Sequence, residues 1–226
     1  MKSYAKKLAE QIRFKTRVGD GWYNTGEVAR DRICVVTGAT GKIGNALCKK
    51  LAGFGAEMVV MVCRNQEKGE DIRKEIIGNT RNPNVQVMRC DLLSSDSIKE
   101  FADKFAERFN RLDILINNAG LTPSRYRFQE PRENVRLNMW LTHCVATFLL
   151  TKELEQIILT SDNPKIINIT STAHRHAKAP WFGDLAGLET HRSIEEAYAH
   201  SKLCLNLITL ANAIELGDRA QVNCVH

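Results

Sequence analysis

The chain has 226 residues and 25.5 kDa, with 43% hydrophobic, 7% aromatic and 26% charged residues. That composition supports one substantial core and excludes disordered, collagen-like and low-complexity classes, while the want of any run of about 18 apolar residues excludes a membrane-spanning helix. A formal charge of +6 and a pI near 9.0 suit an anionic cofactor, an anionic membrane surface or nucleic acid.

The excess charge gathers at the start. Lys2, Lys6, Lys7, Arg13, Lys15 and Arg17 stand against Glu10 alone, a net +5 in the first 17 residues. Tyr4, Leu8 and Ile12 recur every fourth residue, which predicts a small amphipathic helix. Residues 1–30 are therefore read as a basic arm ahead of a single domain over 31–226. Such an arm suits a solvated helix packed on the domain, or a peripheral membrane contact. Without an apolar stretch behind it, it does not read as a secretory leader. No stripe of basic residues interleaved with aromatics follows, so nucleic acid is not an expected partner.

Seven cysteines stand at 34, 48, 63, 90, 144, 204 and 224, with no CxxC pair. Cys34, Cys63, Cys90 and Cys224 lie in apolar runs, where cysteine behaves as a small buried hydrophobe. Their spacing suits neither zinc nor a disulfide framework. The expected setting is intracellular and reducing, in the cytoplasm or on the periphery of an organelle membrane.

From residue 32 onward, short β-rich runs alternate with helical patterns. Strands are predicted at 32–37, 57–63, 85–90, 112–117, 165–170 and 221–225. Several are apolar at consecutive positions, as in a parallel sheet covered on both faces. Between them Ile98, Phe101, Phe105 and Phe109 form one stripe of helical period, and Leu203, Leu207, Leu210 and Ile214 another. Both are expected to face the core. The alternation predicts an α/β fold with a doubly wound parallel sheet, whose ligands bind beyond the strands' carboxyl ends where strand order reverses.

After the first strand comes Thr37-Gly38-Ala39-Thr40-Gly41-Lys42-Ile43-Gly44, opening an amphipathic helix. Glycines here allow a sharp turn and a close backbone approach to a pyrophosphate, which the helix N-terminus meets with free N–H groups. A Walker-type loop is rejected, because Lys42 is followed by Ile43 rather than Ser or Thr, and only two residues separate Gly38 from Gly41. The second strand ends in Cys63-Arg64-Asn65. An acid at that place accepts hydrogen bonds from a free ribose 2′-hydroxyl, whereas an arginine pairs a 2′-phosphate. Arg64, with Lys42, argues for NADP(H).

Further along, residues 172–195 form the least regular stretch, long enough for a functional loop. Tyr198-Ala199-His200-Ser201-Lys202 then opens the last long helix. The i, i+4 spacing places phenol and ammonium on one helical face. A free phenol is a poor base at neutral pH, and a neighbouring cation favours its ionised form. Tyr198 could then exchange a proton with an alcohol or carbonyl oxygen while hydride moves to or from nicotinamide. Two signals are read as empty. The Asn168-Ile169-Thr170 sequon falls in a buried strand, and His174 with His176 has no third metal ligand at a suitable spacing.

Taken together, the sequence resembles the short-chain dehydrogenase/reductase family. The resemblance rests on the glycine turn, Cys90-Asp91-Leu92 after the third strand, Asn117-Asn118-Ala119-Gly120 after the fourth, Ile169-Thr170-Ser171 after the fifth, and the Tyr198/Lys202 pair. Thr172-Ala173-His174, Cys63-Arg64, Phe148-Leu149-Leu150-Thr151 and Tyr198 to Leu203 look most like its retinol dehydrogenase-like branch. The resemblance implies a Rossmann-type fold and an NADP(H)-dependent alcohol dehydrogenase or carbonyl reductase with a small-molecule substrate, lipophilic or retinoid-like. It also leaves a homodimer among the expected partners.

The family's roles fall on matching positions. Tyr198 would be the general acid/base, Lys202 would hold the nicotinamide ribose, and Ser171 would hydrogen-bond the substrate oxygen. Asp91, with Leu92 beside it, would bind the adenine amino group. Asn118, Ala119 and Gly120 would close over the adenosine side, with Asn117 steadying the sheet. Three departures stand out. Lys42 replaces a glycine usual in this branch, and Gly41 gives a TGxxGxxG spacing like that of extended, epimerase-like members. His143 stands where the family has a tetrad asparagine, with Asn138 five residues earlier, and a histidine there could relay a proton through water. The family also continues beyond the equivalent of His226 with a helix and a further strand, so the expected domain lacks its C-terminal elements. These departures favour an alternative, a catalytically weak or inactive dinucleotide-binding protein of the same fold.

Overall fold

The computed structural model describes residues 29–122, 132–177 and 193–226. Six parallel strands form its centre: β1 (Ile33–Thr37), β2 (Met58–Cys63), β3 (Val85–Arg89), β4 (Ile114–Asn117), β5 (Lys165–Ile169) and β6 (Gln221–Val225). Their order is β3-β2-β1-β4-β5-β6. Order reverses between β1 and β4, and that crevice is where a doubly wound sheet takes its ligand. Val35 lies in register with Val60 on one side and Leu115 on the other. The predicted strands are recovered, each of the first five shorter by one or two residues.

Helices α1 (Lys42–Gly53), α2 (Gln66–Thr80), α3 (Ser95–Arg108), α4 (Arg132–Trp140), α5 (Ala146–Glu153), α6 (Glu155–Ile158) and α7 (Ile194–Leu216) connect the strands. A π-helical turn, Leu141–Val145, joins α4 to α5, and 3-10 turns occupy Thr172–His176 and Gly217–Arg219. Every residue of β1 is buried, and successive side chains point to opposite faces. Val35 joins a core of Val60, Phe101, Phe105, Leu115, Leu150 and Ile166 on one side. Val36 joins Cys48, Val59, Met61, Ile76 and Ile116 on the other. This two-sided burial explains why the strands read as continuous apolar runs.

At the opposite end of β4 from the site, Asp113 is 2% exposed and ties the sheet together. Its carboxylate accepts from Ile33 N at 2.7 Å, Ser161 Oγ at 2.5 Å, Arg111 Nε at 3.0 Å and Arg32 Nη1 at 3.3 Å. Burial pushes this carboxyl up, but the hydrogen bonds and the two guanidinium groups outweigh it and hold it below the usual carboxylate range.

The first stripe faces the core as expected: Ile98, Phe101 and Phe105 are buried, and Phe109, half-buried just past the helix, packs against them with its ring 4.7 Å from that of Phe105. The second stripe does not face the core: Leu207 and Ile214 are 46% and 56% exposed, and Leu203 and Leu210 half-buried. Helix α7 instead buries small and polar residues, among them Ala197, Ser201, Cys204, Thr209 and Asn212. Short side chains let it lie close to β6 and the 3-10 turn after β5, with Leu205 and Leu216 buried beside them and Leu207 and Ile214 left on the far side. All seven cysteines are free, six buried and Cys224 half-buried. The basic arm of residues 1–30, read as a packed helix or a peripheral membrane contact, lies outside the described residues up to residue 28, as does most of the irregular stretch after residue 177.

Candidate active site

A cleft of about 480 Å³ opens over the carboxyl ends of β1, β2, β3 and β4. Gly38, Thr40, Gly41, Lys42, Ile43, Gly44, Arg64, Asp91, Leu92, Asn118, Ala119 and Gly120 all line it. Sequence reasoning had put each of these at the cofactor. Thr37 stands behind the wall, 1% exposed. Its Oγ1 accepts from the backbone N–H of Asn118 and of Ala119, both at 3.0 Å, while Asn118 Nδ2 donates to Thr37 O at 2.8 Å. The glycine turn and the turn after β4 are thus fastened to each other.

The close approach explains two of the glycines. Gly38 has φ +63°, and a Cβ there would come within 2.8 Å of Ala119 Cα. A Cβ on Gly44 would overlap the Gly38 carbonyl and lie 2.8 Å from Asn118 Nδ2. Gly41 differs: its φ of −80° and ψ of 164° suit any residue.

Helix α1 begins unlike its neighbours. Helices α2, α3 and α7 are capped by Asn65, Ser94 and Ser193 and carry acids in their first turns. At α1 Gly41 offers no side chain to its orphan N–H groups and the first turn holds no acid. An uncapped helix start with Lys42 at its first position and Arg64 across the cleft is a seat for phosphate. The residues present therefore fit a phosphorylated dinucleotide: cradle, positive helix end and two exposed cations.

Two of the catalytic candidates, His143 and Lys202, lie beside Gly120 at the inner end. Lys202 Nζ lies 5.8 Å from the Tyr198 ring centroid, so the two share a helical face. Lys202 is 4% exposed and donates to Ile169 O at 3.0 Å. Burial pushes its pKa down to about 8. Ser171 ends the β5 connection and caps the 3-10 turn, its Oγ accepting from Ala173 N at 3.2 Å. One lone pair is thereby occupied, while the hydroxyl hydrogen stays free to donate elsewhere. His174 Nδ1 donates to Ser171 O at 2.6 Å and steadies the same residue.

His143 lies in the π-helical turn, 1% exposed. Its Nε2 accepts from Leu121 N at 2.9 Å, and its Nδ1 sits 2.8 Å from Ser201 Oγ. The proton relay through water expected from the sequence needs a free ring nitrogen, and neither is free. His143 Nε2 and Lys202 Nζ stand 3.2 and 3.6 Å from where a Cβ on Gly120 would be, so a side chain there would crowd the imidazole. Sequence reasoning missed Leu121, Thr122, Thr142 and Ser201, and Asn138, noted only for its distance from His143, proves to line the cleft with Thr142. Contacts such as His143 to Ser201 span 58 residues and leave no local signal.

A glycine cradle over the β1/β4 crevice, with a serine after β5 and a Tyr–Lys pair on the following helix, defines a class of nucleotide-dependent oxidoreductase. The family model described as short chain dehydrogenase matches residues 32–183, and the chain belongs to the short-chain dehydrogenase family. It is similar to retinol dehydrogenase 12 of Homo sapiens, 36% identical over 190 residues that cover 84% of this chain and 57% of that protein. It is also similar to polyprenol dehydrogenase of Homo sapiens, 34% identical over 181 residues, covering 79% and 54%. The chain spans rather more than half the length of these curated relatives. Among solved structures, a short chain dehydrogenase from Escherichia coli CFT073 complexed with NADPH superposes with a TM-score of 0.72 at 29% identity, covering 88% of this chain and 77% of that one.

Proposed function

We propose that this chain forms the cofactor-binding and catalytic part of an NADP(H)-dependent oxidoreductase acting on an alcohol or carbonyl group. One observation carries the reading: an uncapped, acid-free helix start flanked by Lys42 and Arg64 opens into a cleft lined by Gly120, and Lys202, which shares a helical face with Tyr198, lies behind that glycine. The NADPH complex of the Escherichia coli relative supports the cofactor. NADP(H) supplies or takes the hydride. Lys42 and Arg64 hold the 2′-phosphate, the α1 N-terminus faces the pyrophosphate, and Asp91 meets the adenine end. In the reducing direction Tyr198 gives its phenolic proton to the carbonyl oxygen as the carbon gains hydride, and Ser171 donates a hydrogen bond to that oxygen. Lys202 holds the ribose and keeps positive charge beside the phenol. In oxidation the phenolate of Tyr198 takes the alcohol proton.

The substrate class proposed is lipophilic. Retinol and polyprenol, which name two relatives, are both primary alcohols on isoprenoid chains. Seven unpaired thiols favour a reducing intracellular setting. The test is titration with NADPH and NADH, followed by nicotinamide absorbance with all-trans-retinal and with short aldehydes. Turnover of retinal that Tyr198→Phe lowers by about 10²-fold or more supports the reading. Cofactor binding without turnover, unchanged in that variant, overturns it.

A further inference from the structure

His143 is accounted for neither by cofactor contact nor by proton transfer, yet it is among the most enclosed polar groups of the site. Its hydrogen bonds fix its chemical form. Leu121 can only donate through its backbone N–H, so Nε2 must be an unprotonated acceptor. The ring proton therefore sits on Nδ1 and is donated to Ser201 Oγ, and the Ser201 hydroxyl passes its own hydrogen to Tyr198 O at 2.8 Å. The chain Leu121 N–H to His143, His143 to Ser201 and Ser201 to Tyr198 runs in one direction and leaves no donor facing a donor. It joins the turn that lines the cofactor cleft to the helical turn that carries Tyr198 and Lys202. The Tyr198 ring meets the imidazole edge-on, with centroids 5.7 Å apart.

We infer that His143 is a positioning residue that latches the 117–121 turn to α7 as a neutral Nδ1–H imidazole, and that its protonation opens the latch and sets the acid limit of turnover. This rests on the oxidoreductase reading for its effect on rate, but not for the state of the ring. A proton on Nε2 would turn that nitrogen toward another N–H and remove the link to Leu121. It would also place a second cation beside Lys202. Burial, then Lys202, hold the imidazole well below the usual histidine range, with the Leu121 contact in partial opposition. The other ionisable groups lie on the elements packed around it: α7 also carries His200, which stacks on Trp140 and lies 3.6 Å from Cys204 Sγ, and Glu195, Glu196 and Glu215. Tyr198 faces it from α7 and Cys144 stands in its own turn, while Arg136 belongs to α4 and Lys152 and Glu153 to α5, Lys152 being paired with Glu155 and Glu215. Carbonyl reduction needs Tyr198 and Lys202 protonated, so acid does not stop it through that pair, and His200, whose ring lies against Trp140 and Cys204, makes none of the contacts of the latch.

The test has two arms. Ring ¹⁵N–¹H spectra of histidine-labelled protein, with His143→Gln marking the signal, are expected to show the Nδ1–H tautomer at pH 7 and no titration down to about pH 5.5. An Nε2–H tautomer, or titration near the ordinary value, overturns the inference whether or not the protein turns over any substrate. The second arm follows initial rates of NADPH-dependent reduction from pH 8 to 4 in wild type, His143→Gln and His143→Phe. Glutamine places an untitratable oxygen where Nε2 accepts, so its activity is expected within about tenfold of wild type at pH 7.5, with the acid limb that wild type shows below about pH 5.5 moved down or lost. Phenylalanine, unable to accept, is expected to lose most of kcat while its NADPH affinity changes less. An acid limb unmoved in His143→Gln refutes the rate-limiting role. Absence of NADPH turnover in wild type defeats the oxidoreductase reading instead, and the spectra still decide the latch.

Discussion

Replacing Lys202 with methionine should make the protein more stable while removing the cation beside Tyr198. The lysine is 4% exposed, and burial lowers its pKa from 10.5 to about 8. Carrying the charge in the folded state then costs about 3 kcal/mol. Its hydrogen bond to Ile169 O at 3.0 Å returns about 1 kcal/mol. A methionine of similar length keeps the packing and loses both terms, for a net gain of about 2 kcal/mol at pH 7. The sign has a pH signature. A lysine with a depressed folded pKa destabilises fully below that value, and the penalty fades as pH rises from about 8 to 10.5. Urea unfolding of wild type and Lys202→Met at pH 7 and pH 10.5 measures the gap at each end. The gain at pH 7 should vanish or change sign at the higher pH. A methionine variant less stable at pH 7, or a gap that ignores pH, would refute the account of Lys202 as a costly buried cation kept for its function.

Two more outcomes follow from the same geometry. Removing the cleft's cations in Lys42→Ala/Arg64→Ala should weaken NADPH by ~10- to 100-fold and NADH by no more than ~3-fold, since only NADPH carries a 2′-phosphate; fluorescence titration with both cofactors measures it, and equal losses would contradict 2′-phosphate recognition. Asp113→Asn should cost about 3 kcal/mol in urea unfolding, because it leaves Arg32 and Arg111 short of a buried partner. A carboxylate held below its ordinary range stabilises at neutral pH and loses that contribution as pH falls through its folded value. The cost should therefore shrink steadily between pH 5 and pH 3, and a cost constant over that window would count against the network.

Periodicity and punctuation made the sheet legible, because each strand is buried on two faces and each turn carries residues suited to it. Gly38 and Gly44 could be placed at the cofactor from spacing alone, since their need for closeness is imposed by a local strand-turn-helix unit. Helix α7 was misread for the opposite reason. Its leucines obey the helical period, but the face that packs is chosen by what lies across from it, and close approach rewards Ala197, Cys204 and Thr209 over bulk. His143 shows the same limit at the site. Its position was found by alignment with the family segment, whereas its function as a doubly hydrogen-bonded acceptor and donor depends on Leu121 and Ser201, 22 and 58 residues away.

The two halves of the site are held in place by neighbouring residues with opposite assignments. Asn118 points into the cleft and fastens the glycine turn through Thr37 and Gly38. Asn117, one residue earlier on β4, points into the interior, where its Nδ2 donates to Asn168 Oδ1 at 2.9 Å. Asn168, fully buried on β5, donates in turn to Thr209 Oγ1 at 2.8 Å, and Thr209 is on α7, the helix that carries Tyr198 and Lys202. Buried amides are costly unless paired, so this ladder admits few arrangements of β4, β5 and α7. It fixes α7 from below, as the His143 chain fixes it from above. A helix anchored along its length by polar contacts cannot slide to relieve a local misfit, and Tyr198 and Lys202 therefore keep their distance from the cofactor cleft. The packed face of α7 accordingly mixes small and polar residues with Leu205 and Leu216, where a stripe of leucine alone would give more apolar burial but no fixed register.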